Sequence, residues 1–437
     1  MTIEINSIAV LGGGTMGLGI AGLCAQKDRK VLILDISMEA AQKSLERIVS
    51  GRPPAVDDPE KAENITLGTF EDDLDKIADY DWICEAIVED LETKRDLFKR
   101  VEAVRKQGSV ISTNTSGIPL KDIIEDMPER LRRDIAVTHF FNPVKVMRLM
   151  ELVPGEDTDP AVIESLAAFC GGVLGKGVVY AKDTVNFIGN RIGCFWMLMG
   201  LHQAQQALED GLSMETIDAL MSKPVGLPPT GLYGLIDLIG LDVMDLVGKN
   251  LAINLPAGDM GVDFTAFPPS VHALLERGQL GRKTGGGFYR MIKHDDGSKT
   301  LEVFDLAAGD WRVSEKVQLD DVHSTLDGLF TDDAQGKFSW DMTSAVLSYA
   351  ADLVPQIADD VVNIDRAMRW GFAWARGPFE MIDALGAQRM MERLKSEGRH
   401  IPKMLQVLAD AGAETFYKND GSEYLGLDGV YHPTPAE

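Results

Sequence analysis

Two residues of this chain are placed to move a proton. His139 stands in Thr138-His139-Phe140-Phe141-Asn142-Pro143, directly after an apolar run of strand type, so it falls near that strand's carboxyl end. Ligands of open α/β sheets bind along that edge. Of the seven histidines it is the one so placed. Oxidising an alcohol requires a base for the hydroxyl proton as hydride leaves carbon, and imidazole suits that task near neutral pH. A structural histidine bonded to backbone is the other reading of the position. Glu151 interrupts Leu149-Met150-Glu151-Leu152-Val153, where a carboxylate is costly without a partner. A histidine one short hairpin away is a natural partner: the carboxylate would fix its tautomer and stabilise the imidazolium. A salt bridge to Arg148 or Lys145 is the alternative.

A second constellation concerns phosphates. Ile8-Ala9-Val10-Leu11 runs into Gly12-Gly13-Gly14-Thr15-Met16-Gly17, a helical pattern opens at about Thr15, and Val31-Leu32-Ile33-Leu34 ends in Asp35. Strand, G-x-G-x-x-G turn, helix, strand and acid in that order hold a dinucleotide. Gly12 permits the tight turn, Gly14 lets the backbone approach a pyrophosphate, and Gly17 lets the helix pack on the strand. The helix start directs free N–H groups and the positive dipole end at the phosphates. Asp35 accepts hydrogen bonds from a ribose and repels a 2′-phosphate. No Arg follows within ten residues, so the expected cofactor is NAD rather than NADP.

Two further groups are undecided by physics alone. Ser112-Thr113-Asn114-Thr115-Ser116-Gly117 offers hydroxyls and an amide at a strand end, either as a helix cap or as ligand contacts. Asn190, on an otherwise apolar helix, is either a buried core amide or a substrate contact.

The elements that position these groups change character along the chain. Up to about Asp183, apolar runs at Ile5–Leu11, Val31–Asp35, Trp82–Ile87, Val110–Ser112, Ile135–Phe140, Met150–Val153 and Val178–Ala181 alternate with amphipathic helical segments. That is the pattern of an α/β sheet with helices on both faces. Gly12, Asp35, Glu89, Ser116 and His139 then fall at the ends of separate strands, along one rim. The insertion Gly51–Asn64, with Pro53, Pro54 and Pro59, cannot continue the sheet. Beyond Thr184 the pattern is helical, with a buried helix expected over Asn186–Asp210. Gly281–Gly287 forms a glycine-rich break. Residues 290–315 read as polar and loop-like, with His294-Asp295-Asp296-Gly297 as a hairpin turn.

The helical part contains an internal repeat. Ile217-Asp218-Ala219-Leu220-Met221 matches Ile364-Asp365-Arg366-Ala367-Met368 at an offset of 147, and Gly231–Asp237 matches Gly377–Asp383 at 146. Two related helical lobes follow. The expected fold class is a Rossmann-type doubly wound α/β domain followed by two related all-α lobes. The expected domains are 1–183, 184–290, and a linker with the second lobe over 291–437.

Bulk properties bound the partners. With 437 residues, 45% of them hydrophobic, the chain has room for two or three cores. A net charge of −25 argues against nucleic acid and anionic membranes, so a phosphate-bearing ligand must find a locally positive site. Cys24, Cys84, Cys170 and Cys194 lie in apolar segments without metal-like spacing. They read as reduced core cysteines, and no metal site is expected. The longest apolar stretch, near Ile192–Leu201, is too short for a membrane span, and the start of the chain shows no leader pattern. A cytoplasmic protein is expected.

Seven ordered motifs carry a resemblance. They are Gly12–Gly17, Glu85-Ala86-Ile87-Val88-Glu89 with Lys94, Asn114-Thr115-Ser116, His139–Pro143, Met150–Val153, Lys182-Asp183-Thr184 through Asn190-Arg191, and Lys283–Tyr289. On these the chain resembles the L-3-hydroxyacyl-CoA dehydrogenase family of fatty-acid β-oxidation over nearly its whole length. The resemblance implies NAD-dependent oxidation of an (S)-3-hydroxyacyl-CoA to the 3-oxoacyl-CoA. It makes His139 the general base and Glu151 its orienting partner, with Ser116 and Asn190 holding the substrate's oxygen atoms. Gly12, Gly14, Met16, Gly17, Asp35, Glu89, Lys94, Asn142 and Lys283 would line the NAD site.

Some positions depart from the family's pattern. Val185-Asn186 stands for Pro-Gly, Gly13 for Ala, and Thr230–Gly234 for the Gly-Pro-Phe-Glu that survives at 377–380. The two-lobe length is similar to the dehydrogenase part of multifunctional proteins that also carry an enoyl-CoA hydratase domain. No hydratase-like segment stands in this sequence. The expected partner is therefore a separate hydratase or thiolase, or a hydratase domain beyond the polar tail Tyr431–Glu437. A non-catalytic NAD-binding scaffold and a dehydrogenase of a non-CoA 3-hydroxy acid are the rival functions. Residues 330–430 are expected to pack against the helices around Asn186–Asp210, leaving a monomer or weak dimer.

Overall fold

The computed structural model describes residues 2–437. Contacts divide the chain into two units, residues up to 188 with 356–359 and 436–437, and residues 189–355 with 360–435.

The first unit is built on eight strands: β1 (Ser7–Leu11), β2 (Lys30–Asp35), β3 (Ile65–Thr69), β4 (Trp82–Glu85), β5 (Val110–Thr113), β6 (Ile135–Phe140), β7 (Leu149–Pro154) and β8 (Gly177–Tyr180). Their order in the sheet is β3-β2-β1-β4-β5-β6-β7-β8. Strands β1 to β6 pair in parallel, while β7 runs antiparallel to β6 and parallel to β8. The helices are α1 (Thr15–Gln26), α2 (Met38–Ser50), α3 (Leu91–Val104), α4 (Leu120–Ile124), α5 (Glu129–Asp134) and α6 (Pro160–Ala167). Every residue of β1 and of β6 is buried, as strands covered on both faces require. From β1 the chain moves outward to β2 and β3, then crosses back to β4 on the other side. That reversal opens a crevice at the carboxyl ends of β1 and β4.

Strand β3 has no counterpart in the hydrophobic pattern of the sequence. It is an edge strand whose Thr66 is exposed and Leu67 half-buried, so no apolar run announces it. The proline-bearing insertion before it forms a 3-10 turn at Pro59–Asn64. The helix expected from Asn186 begins only at Gly189, because Asn186 and Phe187 adopt left-handed φ of 60° and 49°. All four cysteines are buried and unbridged.

The second unit holds α7 (Gly189–Glu209), α8 (Met214–Leu220), α9 (Gly231–Ile239), α10 (Leu241–Asn254), α11 (Pro269–Glu276), α12 (Ala334–Asp352), α13 (Val361–Gly371), α14 (Pro378–Leu385), α15 (Ala387–Ser396) and α16 (Lys403–Asp410). Helices α12 and α13 pack on α7, as expected for residues 330–430. Phe195 stacks on Tyr349 with ring centroids 4.0 Å apart, and Arg191 Nε donates to the Tyr349 hydroxyl at 2.6 Å. Residues 290–315 are not a loop. They lie in an antiparallel sheet of β9 (Tyr289–Lys293), β10 (Lys299–Asp305) and β11 (Asp310–Val313), with the expected turn between the first two. The ladder hydrogen bonds and the buried Val303 and Phe304 outweigh the polar composition. A smaller sheet joins β12 (Tyr417–Lys418), β13 (Glu423–Leu425) and β14 (Tyr431–Pro433), so the part expected to be all-α is helical with two small antiparallel sheets. No helix among the described residues is long and apolar enough to cross a membrane.

Within this unit one hydrogen-bond web occurs twice. Asp218 accepts from the N–H groups of Tyr233 (2.7 Å) and Gly234 (3.2 Å) and from the Tyr289 hydroxyl (2.9 Å), while Asp237 accepts from Phe288 and Tyr289 N–H. Asp365 accepts from the N–H groups of Phe379 (2.8 Å) and Glu380 (3.1 Å) and from the Tyr417 hydroxyl (2.8 Å), while Asp383 accepts from Phe416 and Tyr417 N–H. Rings close each web, Tyr233 against Phe288 at 4.7 Å and Phe379 against Phe416 at 4.9 Å.

Candidate functional site

The rim begins at the turn between β1 and α1. Gly12 has φ of 99°, and a Cβ there would stand 2.7 Å from the Ala86 carbonyl oxygen. A Cβ on Gly17 would overlap the Gly12 carbonyl oxygen at 1.8 Å, so the helix can approach the turn only without one. At Gly14 nothing lies within 4 Å of the Cβ position. The backbone is therefore open on that side, and no side chain caps the helix start. Free N–H groups beside open space suit an anion. Met16 sits half-buried in the first turn.

Asp35 closes the unit from the end of β2. Its Oδ2 accepts from Gly13 N–H at 2.9 Å and its Oδ1 from Ile36 N–H at 2.7 Å. The Ser44 hydroxyl donates to the Gly13 carbonyl at 2.7 Å and occupies the space a Cβ on residue 13 would need, which explains glycine at this position. Ile36 (83% exposed) and Val88 (67%) stand just beyond β2 and β4, on either side of β1. They offer apolar walls for a flat ring. Sequence reading passed over both, because a single apolar residue after a strand gives no periodic signal.

Behind the rim lies a buried charge pair. Lys94 Nζ is 2.7 Å from Glu85 Oε1 and 3.3 Å from Glu89 Oε2, with Lys94 and Glu85 almost wholly buried. Glu85 also accepts from Thr113 Oγ1 at 2.6 Å and Ile87 N–H at 2.8 Å. Lys94 thus supports Glu89 from beneath. Glu89 in turn accepts from the Thr115 hydroxyl (2.7 Å) and the N–H groups of Ser116 and Gly117 (both 2.9 Å). Burial works to raise the Glu89 carboxyl, but Lys94 and these three donors outweigh it and hold it below the usual carboxylate range. The sequence named Glu85 only as part of the motif Glu85–Glu89 and gave it no role, although it interrupts the apolar run Trp82–Ile87 much as Glu151 interrupts its own.

The antiparallel register of β6 and β7 sets His139 opposite Glu151. Their side chains meet, His139 Nδ1 to Glu151 Oε2, at 2.6 Å, and Glu151 has no exposed surface. Ile188 N–H donates to the other carboxylate oxygen at 3.0 Å. Lys145 pairs with Asp57 and Arg148 with Glu437 instead. The rings of Phe141 and Phe187 pack on the imidazole at 4.5 and 5.6 Å. Phe140 N–H donates to Asn114 Oδ1 at 3.0 Å, which ties β6 to the Ser116 loop. The Ser116 hydroxyl, half-buried, has no hydrogen-bond partner among the described residues. Asn142 is exposed on the loop after β6. With Nδ1–H donated to Glu151, Nε2 is the nitrogen left to accept a proton.

Asn190 and Lys283 belong to the second unit. Asn190 is the second residue of α7, half-buried, and its amide has no partner among the described residues. Lys283 lies in a 3-10 turn, Arg282–Thr284, and pairs with Asp242 at 2.5 Å.

Comparison with known proteins finds relatives along the chain. Residues 7–184 match the model for the NAD binding domain of 3-hydroxyacyl-CoA dehydrogenase, and residues 187–291 the model for its C-terminal domain. A probable 3-hydroxyacyl-CoA dehydrogenase of Bacillus subtilis is 35% identical over 98% of this chain, and the match covers 57% of the relative. The chain thus spans little more than half of that relative's length. A probable 3-hydroxyacyl-CoA dehydrogenase of Deinococcus radiodurans is 37% identical over 67% of this chain and 85% of its own. The 3-hydroxybutyryl-CoA dehydrogenase of Escherichia coli shares the fold, with a TM-score of 0.69 at 23% identity over 91% of this chain and 96% of that one. With an NAD-binding turn, a paired histidine and these matches along its length, the chain belongs to the 3-hydroxyacyl-CoA dehydrogenase family.

Proposed function

We propose that the chain catalyses the reversible NAD-dependent oxidation of an (S)-3-hydroxyacyl-CoA to the 3-oxoacyl-CoA in fatty-acid β-oxidation. The observation that carries this reading is the 2.6 Å His139–Glu151 contact in a strand pair of the sheet that also carries the nucleotide turn. Gly12, Gly14, Met16, Gly17 and Asp35 hold NAD, with Glu89, Lys94, Asn142 and Lys283 assigned to the same site. Bound NAD supplies the hydride acceptor. His139 Nε2 takes the C3 hydroxyl proton as the C3–H bond gives up its hydride, and Glu151 stabilises the imidazolium so formed. The Ser116 hydroxyl and the Asn190 amide hold the substrate's oxygen atoms, and both have hydrogen-bonding capacity to spare.

The same reading extends to organisation. The proposed domains are 1–183, 184–290 and 291–437, the last two being related helical lobes. The doubled aspartate web supports that division. Packing of α12 and α13 on α7 supports a monomer or weak dimer, since the second lobe covers the apolar α7 within one chain. Buried, unbridged cysteines suit the cytoplasm. The partners are a hydratase or thiolase, separate or fused.

The test is NADH oxidation with acetoacetyl-CoA beside free acetoacetate. Saturable turnover with the thioester alone supports the reading. Turnover with the free acid as good or better makes the chain a dehydrogenase of a non-CoA acid. No turnover by folded, NADH-binding protein makes it a scaffold.

A further inference from the structure

The loop between His139 and Glu151 is held from beneath by a lysine that no motif of the sequence singled out. Lys176 follows the π-type turn Ala168–Val173 and immediately precedes β8, with its own N–H donated to the Cys170 carbonyl at 2.9 Å. Only 8% of the residue is exposed. Its ammonium donates to the Val144 carbonyl and, at 2.7 Å, to the Met147 carbonyl. No carboxylate pairs with it among the described residues, and Val144, Phe169, Cys170 and Leu174 around it belong to the apolar core. An ammonium buried without a counter-ion is expensive, and a methionine of similar length would not incur that cost. What the ammonium adds is the pair of bonds to one loop.

That loop, residues 141–148, joins the two strands of the site. Its Pro143 carbonyl accepts from Val146 and Met147 N–H, both at 2.9 Å. Val144 presses on α1 at Gly19, where a Cβ would stand 2.8 Å from its Cγ2. Gly177 N–H donates to the Arg148 carbonyl at 2.8 Å. The Val144 and Met147 carbonyls turn inward, and Lys176 satisfies both. The loop starts at Phe141, whose ring packs on His139, and carries Asn142.

We propose that Lys176 is a positioning residue for the His139–Glu151 pair, its charged bonds to the Val144 and Met147 carbonyls fixing the loop that seats Phe141 and Asn142. The inference rests on the reading of His139 as the base. Burial pushes the Lys176 ammonium down to about 8, with the Cys170 thiol acting weakly the other way. The charged groups on the loop itself, Lys145 and Arg148, are turned to Asp57 and Glu437. A neutral amine keeps two N–H donors, but bonds from a charged donor are about twice as strong. The loop therefore loosens as Lys176 loses its proton.

Amide hydrogen exchange and turnover on the full chain test this together. In Lys176→Met the amides of Val146 and Met147 exchange on the order of tenfold faster or more, and kcat falls on the order of tenfold, less than the roughly 10²-fold cost of a misplacement of about 1 Å. In wild type, protection of the same amides, corrected for intrinsic exchange, drops across about pH 8. This needs no variant and stands if Lys176→Met does not fold. Unchanged loop protection in the variant, or wild-type protection flat through pH 8, overturns the proposal. So does a loosened loop with kcat within twofold of wild type. Absent turnover in wild type with the protection pattern intact strikes the His139 reading and leaves the lysine's hold on the loop standing.

Discussion

Around Asp218 and around Asp365 the chain ties the same web with different neighbours. Each aspartate collects two backbone N–H groups and a tyrosine hydroxyl, and each second aspartate pins the segment that carries the tyrosine. At the second web Glu380 also caps its helix by accepting Gly377 N–H at 2.8 Å, and Arg369 pairs with it. At the first web Tyr233 and Gly234 stand in the places of Phe379 and Glu380. There the Thr230 and Tyr233 hydroxyl oxygens are buried without a hydrogen-bond partner among the described residues. The offset of 147 that aligns the aspartates sets Asn190 against Lys337, an exposed residue bonded to Asp341. Both regions keep the stabilising web, and of the two aligned positions only the first holds the amide proposed to meet substrate. On that proposal framework and chemistry have separated.

Removing a hub is the largest test of that separation. Asp365→Ala strands two backbone N–H groups, one of them fully buried, and a tyrosine hydroxyl, and should cost about 3 kcal/mol or more, lowering the melting midpoint by several degrees. Tryptophan fluorescence reports it well, because Trp196, Trp311, Trp340, Trp370 and Trp374 all lie in the second unit. Below that midpoint Asp365→Ala should keep wild-type kcat. If it abolishes turnover while still folded, the second web is not framework alone.

Asn190→Ala and Lys337→Ala separate the two regions by chemistry. Loss of the Asn190 amide should lower kcat/KM by about 10²-fold, the worth of a hydrogen bond made in the transition state, while Lys337→Ala changes it less than twofold. Equal effects would remove the distinction.

The webs also predict a pH dependence. Burial pushes Asp218 up to about 7 and Asp237 and Asp383 up to about 6 from an ordinary 3.8, against the pull of their donors. Raised folded-state values give stability that is complete below 3.8 and lost as pH rises through 6 to 7. His323 lies between Asp320 and Asp333. Burial alone would lower it, but the two carboxylates raise it above 6.5, which adds the same sign. The fluorescence-detected midpoint should be higher at pH 5.5 than at pH 8. A rise toward pH 8 would contradict the burial of these carboxyls.

Tyr233→Phe is the smallest change, and it copies Phe379 into the first web. It removes a buried hydroxyl without a partner and should be neutral or stabilising by up to about 1 kcal/mol, measured by denaturant midpoint. A loss above that would show that the hydroxyl has a role.

The two webs also mark how far the sequence could be read. Asp218 with Asp365, and Asp237 with Asp383, stand at nearly one offset and were visible as a repeat. The third members, Phe288-Tyr289 and Phe416-Tyr417, stand at an offset of 128, so equal spacing could not find them. His139 and Glu151 were legible because an antiparallel hairpin has a fixed register. The Glu85–Lys94 pair was not, since helix α3 returns the lysine beneath the sheet, a contact no local pattern encodes. The left-handed Asn186 and Phe187 looked helical in sequence, while in the fold the neighbouring Ile188 N–H is held by Glu151, 37 residues away.

In the proposed mechanism His139 Nε2 accepts the substrate proton while Glu151 holds Nδ1. Its most direct measurement is kcat for acetoacetyl-CoA reduction by His139→Gln, with NADH affinity measured on the same protein. Loss of the base should lower kcat by about 10²–10⁴-fold with NADH affinity nearly unchanged. A variant that binds NADH normally and turns over within threefold of wild type would contradict it.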